Sequence, residues 1–122
     1  MTIETRIQGL TYRFLQNPTD LDDFEQLFRE AFPEDDIKEV FNRFAQWIEN
    51  SPSGRGVQLV VCDGGKIVSS LSFLRQTIVG FDKVYTGFLA STAMTAIDYR
   101  GRGIYKNLSK MAFEVLPKHG GD

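Results

Sequence analysis

Two arginines and two glycines alternate in the segment Arg100-Gly101-Arg102-Gly103, between an apolar stretch and an amphipathic one. Glycines have no Cβ atom and let the backbone approach a ligand closely, and the first amides of a following helix have no intrahelical partners. These amides, the positive end of the helix dipole and two guanidinium groups are suited to binding an anion. The segment therefore predicts a phosphate-binding loop.

The motif from Arg100 to Ile104 resembles the Arg/Gln-x-x-Gly-x-Gly/Ala signature of the GCN5-related N-acetyltransferases, the GNAT superfamily. In that family the loop binds the pyrophosphate of acetyl-coenzyme A. Ile97-Asp98-Tyr99 stands where the family usually has Pro-Glu-Tyr or a similar sequence, and Tyr105 replaces the final small residue but keeps its backbone amide. The resemblance implies a cofactor-binding loop formed by Arg100, Gly101, Arg102, Gly103, Ile104 and Tyr105.

The resemblance also implies that an amine attacks the acetyl thioester directly, while a backbone amide of the preceding strand polarises the carbonyl. Because alternate residues of a strand direct their amides to the same side, Ala93 and Thr95, with Met94 between them, are the candidates for the thioester and pantetheine contacts. A bulge in this strand would leave such amides free. The segment Phe88–Ala96 contains no carboxylate, and we interpret Asp98 as positioning the loop. The general base and acid stay unknown.

The hydrophobic periodicity predicts a strand, two helices, three antiparallel strands and a final helix. The predicted strands are Leu10–Gln16, Val57–Cys62, Lys66–Val79 and Val84–Ala96, and the hairpin turn is Asp63-Gly64-Gly65. The predicted helices run from a Thr19 cap to Ala31, from Asp35 or Asp36 to Glu49, and from Gly103 to Pro117.

Each predicted helix carries an apolar face that should pack in the core. These faces are Leu21, Phe24, Leu27, Phe28 and Ala31 in the first helix; Ile37, Val40, Phe41, Phe44, Trp47 and Ile48 in the second; and Ile104, Leu108, Met111, Ala112 and Val115 in the last. Cys62 ends an apolar strand, so we expect it to be a small core residue rather than a nucleophile.

This order of elements corresponds to the first two-thirds of the GNAT fold, an α+β fold with α/β/α layers and a mixed, mainly antiparallel sheet. The family continues with a fifth strand, a fourth helix and two further strands, whereas only Lys-His-Gly-Gly-Asp follows Pro117. We therefore expect a single GNAT-like domain over residues 1–122 that lacks the C-terminal third, as a short form or as part of a longer enzyme. Its last strand would be an exposed sheet edge, so a homodimer through that edge is expected.

Composition narrows the classes of function. The 122 residues include 42% hydrophobic ones, enough for one core, and the net charge of −2 with no basic run argues against nucleic-acid binding. We predict no membrane span, no metal and a cytoplasmic location, since the N-terminus lacks a signal-peptide core and Cys62 is the single cysteine.

Two functions remain open at this point. The first is an acetyl-CoA-dependent N-acetyltransferase acting on an unidentified amine, and the second is a non-catalytic GNAT-like domain that binds CoA or a protein partner. The acidic run Glu34-Asp35-Asp36 fits either attraction of a cationic amine or charge at a helix N-terminus. Neither the acceptor nor the acyl chain is defined by the sequence.

Overall fold

The computed structural model describes residues 4–16, 19–31, 37–50 and 52–119. These residues form the strands β1 (Glu4–Ile7), β2 (Leu10–Phe14), β3 (Val57–Asp63), β4 (Lys66–Val79) and β5 (Val84–Thr95) and the helices α1 (Leu21–Ala31), α2 (Ile37–Asn50) and α3 (Ile104–Val115). Short 3-10 helices lie at Ile97–Tyr99 and Leu116–His119.

The described strands form one sheet in the order β1-β2-β3-β4-β5, and each neighbouring pair is antiparallel. The predicted α+β class is therefore confirmed. Within the described ranges no strand follows β5, which is an edge strand of the sheet.

The strand β1 was not predicted from the sequence. It pairs with β2 from Glu4 opposite Arg13 to Ile7 opposite Leu10, through a two-residue turn in which Gln8 and Gly9 have φ values of 52° and 80°. Three of its four residues are exposed, so the segment has no alternation of apolar and polar side chains to indicate a strand. The predicted strand from Leu10 is correct in its start but ends at Phe14 rather than at Gln16.

The centre of β4 is buried on both faces, from Ile67 to Leu74. Helix α3 covers one face, and all five residues predicted for its core side are buried, which confirms that interpretation. In α1, Phe24, Leu27 and Phe28 are buried as predicted. Cys62 is also buried, in agreement with its expected role as a small core residue.

The prediction for α2 was partly wrong. Phe41 and Ile48 are buried, but Val40 is 43% exposed and Trp47 is 69% exposed. Trp47 lies beside Leu74 and beside a β4 segment that is no longer buried, so the sheet under this end of α2 is too open to cover the indole. Helical periodicity had identified an apolar face without showing how much of it a neighbour covers.

A polar pair holds the chain at the start of α1. The residue before the helix is Asp20 rather than the predicted cap Thr19, and the carbonyl of Asp20 accepts a hydrogen bond from the Phe24 amide at 2.9 Å. The Asp20 carboxylate binds the Arg13 guanidinium through contacts of 2.5 and 3.0 Å and accepts the Gln16 amide at 2.7 Å. These bonds, chiefly that to Arg13, lower the pKa of Asp20.

Candidate functional site

The loop between β5 and α3 depends on its two glycines. Gly101 and Gly103 have φ values of 80° and 75°, in the left-handed region that other residues rarely adopt. A Cβ atom added at either position would meet no atom within 4 Å, so the space in front of the loop is open. Backbone conformation, rather than a crowded neighbour, therefore requires glycine here.

The N-terminus of α3 has no side-chain cap. Gly103 is the N-cap residue, and the amide of Asn107 donates to the Gly103 carbonyl at 3.1 Å. The amides of Ile104, Tyr105 and Lys106 precede that bond and so have no intrahelical acceptor. The first turn holds no acidic residue and carries the exposed Lys106, which the sequence analysis had not included among the site residues. The position of Lys106 in the first turn of the predicted helix could have identified it as a site residue.

The two arginines of the loop donate to carbonyl groups at the end of β5. Arg100 Nε donates to the Thr95 carbonyl at 3.0 Å, and Arg102 Nη2 donates to the Asp98 carbonyl at 2.9 Å. Each guanidinium group has further N–H donors. The backbone carbonyl of Asp98 thus takes part in shaping the loop, and the role expected for its side chain stays a prediction.

Tyr99 connects the loop to the β3–β4 hairpin. Its hydroxyl donates a short hydrogen bond to the carboxylate of Asp63, the last residue of β3, and this bond raises the pKa of Tyr99. The Arg102 guanidinium carbon lies 4.8 Å from the centroid of the Tyr99 ring, in cation–π geometry. The sequence analysis missed this contact because Tyr99 and Asp63 are 36 residues apart in the chain.

A β-bulge interrupts β5 beside the predicted thioester contacts. The pairing of β4 with β5 shifts register between Leu71 and Phe73, and Ser91 and Thr92 of β5 there lie opposite the single residue Ser72. A bulge of this kind leaves backbone groups out of the regular ladder. The sequence analysis stated that a bulge in this strand would leave amides free, and the structure has such a bulge.

The backbone amides after the bulge alternate between β4 and the open edge. The Ala96 amide donates to the Val68 carbonyl of β4 at 2.7 Å. Successive amides along a strand point in opposite directions, and Thr95 and Ala93 are one and three residues before Ala96. The amides of Ala93 and Thr95 therefore point away from β4. Met94 lies between them and is 3% exposed. The Thr95 hydroxyl is 2.9 Å from the Ser69 hydroxyl, which fixes this end of the strand.

The structure brings the predicted phosphate loop and the predicted thioester contacts together. The loop from Arg100 to Tyr105 and the edge from Ala93 to Thr95 are joined by the bond from Arg100 to the Thr95 carbonyl. The acidic run Glu34-Asp35-Asp36 lies outside the described residues. β5 carries no carboxylate, so no general base or acid is assigned on it.

Residues 4–16, 19–31, 37–50 and 52–119 contain no group of three or more His, Cys, Asp and Glu side chains placed to hold a metal ion. None of the helices in these ranges combines the length and apolar character needed to cross a bilayer.

Solved acetyltransferases have a closely similar fold. A GNAT family acetyltransferase from Staphylococcus aureus aligns with a TM-score of 0.69 at 14% identity, over 94% of this chain and 83% of that one. Glucosamine-6-phosphate N-acetyltransferase from Arabidopsis thaliana aligns with a TM-score of 0.66 at 14% identity, over 93% and 78% of the two chains. A GNAT family acetyltransferase from Brucella melitensis, solved in complex with acetyl-CoA, has a TM-score of 0.65 at 20% identity, over 94% and 73%.

At these identities the structural likeness shows a shared fold, and no curated protein matches the chain. A match to a sequence model of a family shows more than a shared fold. The model of the acetyltransferase (GNAT) domain matches residues 11–121, which include β2 apart from Leu10, the strands β3 to β5, the three helices and the whole glycine loop. The chain therefore belongs to the GNAT acetyltransferase family.

Proposed function

We propose that this chain binds acetyl-CoA through the loop from Arg100 to Tyr105 and acts as an N-acetyltransferase that transfers the acetyl group to an amine. The observation that carries the proposal is the uncapped N-terminus of α3, which faces open space beyond Gly101 and Gly103. Three amides without intrahelical acceptors and the charges of Arg100, Arg102 and Lys106 supply donors and positive potential for a diphosphate.

The open edge of β5 supports the second half of the cofactor site. We assign the amides of Ala93 and Thr95 to the pantetheine and thioester, with Met94 as the buried residue that holds the strand between them. A backbone N–H directed at the thioester oxygen stabilises the negative charge that develops there during attack, without any particular side chain.

In this reaction the uncharged amine attacks the thioester carbon. A C–N bond forms, the C–S bond breaks, and the CoA thiolate takes a proton while the nitrogen loses one. The protein's own residues bind the diphosphate, orient the thioester and stabilise the oxyanion. The groups that move the two protons are not assigned.

A second candidate function is a non-catalytic GNAT-like domain that binds CoA or a protein partner. The absence of a carboxylate from β5 favours it, because that strand passes directly beside the proposed thioester position. Binding of acetyl-CoA without release of free CoA thiol in the presence of amines would support this alternative.

Two further proposals concern the protein's surroundings. β5 is an edge strand of the sheet that the described residues form, and we propose that a second copy pairs along it to form a homodimer. We also propose a cytoplasmic location, because the single cysteine, Cys62, is a buried thiol rather than half of a disulfide within the described residues.

Calorimetric titration with acetyl-CoA tests the cofactor proposal. The double variant Arg100→Gln/Arg102→Gln should bind about tenfold more weakly than the wild type or worse, because two charge-assisted contacts are lost. Arg43→Gln is the matched control, since Arg43 is an exposed arginine of α2 that pairs with Glu39. A folded wild-type protein that shows no saturable heat with acetyl-CoA would contradict the proposal.

A further inference from the structure

A cleft of about 370 Å³ lies between the last turns of α2 and the outer part of β4. Its lining residues are Gln46, Trp47, Asn50, Pro52, Leu74 and Gln76. It is separate from the glycine loop, and the cofactor proposal uses none of these side chains. The indole of Trp47, although apolar, is 69% exposed at its border.

The lining residues combine one aromatic plane with neutral carboxamides. Gln46, Asn50 and Gln76 each offer two N–H donors and a carbonyl acceptor, and no charged side chain belongs to the described lining. All three side chains are exposed, so their amide groups are accessible to a ligand. A group of neutral donors and acceptors beside an apolar surface suits a ligand that carries several hydroxyl groups on an apolar ring.

Trp47 adds an apolar plane to these polar groups. The face of an indole packs against the C–H face of a saturated ring. Leu74 and Pro52 add apolar contact to the same cleft. A polyhydroxylated ring satisfies all of these groups, and the proposed reaction requires an amino group on it, so the chemical class is an amino sugar.

The cleft lies on β4 a short distance along the strand from the residue opposite the bulge. Side chains of Ser72, Leu74 and Gln76 share one face of β4, because they alternate along the strand. Ser72 is the residue opposite the bulge at Ser91 and Thr92. At 3.3 to 3.4 Å of rise per residue, Leu74 is about 7 Å along the strand from this point. One sugar ring with its amino group spans roughly that distance.

We propose that this cleft is the acceptor site and that the acceptor is an amino sugar, held by the carboxamides of Gln46, Asn50 and Gln76 and by the Trp47 face. The inference rests on the proposed acetyltransferase function. The amine nitrogen points toward the bulge, forms the C–N bond to the acetyl carbon and loses a proton to solvent. The C–S bond breaks, and the CoA sulfur gains a proton.

The intrinsic fluorescence of Trp47 tests this proposal directly, since the chain has a single tryptophan. Titration of the full chain with glucosamine should give a saturable change in emission. Cyclohexylamine, which has the ring and the amine without hydroxyl groups, should require at least about tenfold higher concentration because the carboxamides are left unpaired. Equal responses to glucosamine and cyclohexylamine, or no saturation with glucosamine, would overturn the proposal.

Variants locate the binding to the cleft. Gln46→Ala and Gln76→Ala should each weaken glucosamine binding by about fivefold. Gln26→Ala is the matched control, because Gln26 is an exposed glutamine of α1 outside the cleft, and its glucosamine titration should equal that of the wild type. Unchanged binding in both cleft variants would also overturn the assignment.

A calorimetric titration of the same proteins with acetyl-CoA separates the two proposals. If acetyl-CoA binds and glucosamine does not, the cofactor proposal stands and the acceptor assignment fails. If acetyl-CoA does not bind to the folded wild type, the proposed function fails, and with it the role of the cleft as an acceptor site. Binding of both ligands, with loss of glucosamine alone in the cleft variants, is the expected result.

Discussion

Helices α3 and α2 are both amphipathic, but only α3 buries its whole apolar face. All five predicted residues of α3 are buried over the centre of the sheet, whereas Val40 and Trp47 of α2 are exposed beside the outer part of β4. The difference follows from what lies beneath each helix, since β4 is buried only as far as Leu74. An apolar residue that its neighbours do not cover becomes available to a ligand, and this is how the cleft at Trp47 arises.

The largest expected effect contrasts the two helices directly. Leu108→Ala in α3 should lower the free energy of unfolding by about 3 kcal/mol, because a fully buried leucine leaves a cavity. Trp47→Ala should cost less than about 1 kcal/mol, since most of the side chain is already exposed. Urea unfolding followed by circular dichroism measures both. Similar losses in the two variants would show that α2 is as well covered as α3.

The next largest expected effect concerns the pair formed by Arg13 and Asp20 at the start of α1. Asp20→Asn should lower the free energy of unfolding by about 2 kcal/mol at pH 7, because the bonds to Arg13 and to the Gln16 amide lose a charged acceptor. Asp82→Asn, at an exposed position of the turn between β4 and β5, is the control and should unfold like the wild type.

This contribution depends on pH with a definite sign. The folded-state pKa of Asp20 lies below its ordinary value of 3.8, so the stabilisation is fully present above that value. It is lost as the pH falls through the lowered pKa, where the carboxylate gains a proton. The wild type and Asp20→Asn should therefore approach the same stability in strong acid, and a constant difference at all pH values would contradict the assignment.

The smallest expected effect concerns Tyr99, which lies just before the glycine loop and α3. Tyr99→Phe removes the hydroxyl that binds Asp63 and should weaken acetyl-CoA binding by roughly threefold, because Arg102 loses a fixed aromatic surface. Glucosamine binding at the cleft should be unchanged, which distinguishes loop positioning from general damage. Equal weakening of both ligands would contradict a local role for Tyr99.

Titration of the tyrosines provides the matching pH test. The pKa of Tyr99 is raised above its ordinary value of 10.0 by the bond to Asp63, so the bond is present below that value and is lost as pH rises through the raised pKa. Absorbance titration of the wild type should show a tyrosine component that ionises above that value. It should be missing from Tyr99→Phe, and Asp63→Asn should move it to lower pH.

Sequence reasoning succeeded where a local pattern determines the structure. The bounds of β4 and the buried face of α3 follow from residue periodicity. It failed where the outcome depends on a distant partner. The exposure of Trp47 is decided by where β4 ceases to be buried, and the partner of Tyr99 is decided by the position of the β3–β4 hairpin.

The bulge at Ser91 and Thr92 has a consequence for assembly. It divides the open edge of β5 into two regular stretches, Val84–Ala90 and Ala93–Thr95, whose pairing patterns differ by one residue. A second strand that aligned with the longer stretch would therefore lie out of register with the shorter one. Dimer formation and thioester binding would use separate stretches of one edge, so a homodimer joined through Val84–Ala90 would leave the cofactor contacts of both copies accessible.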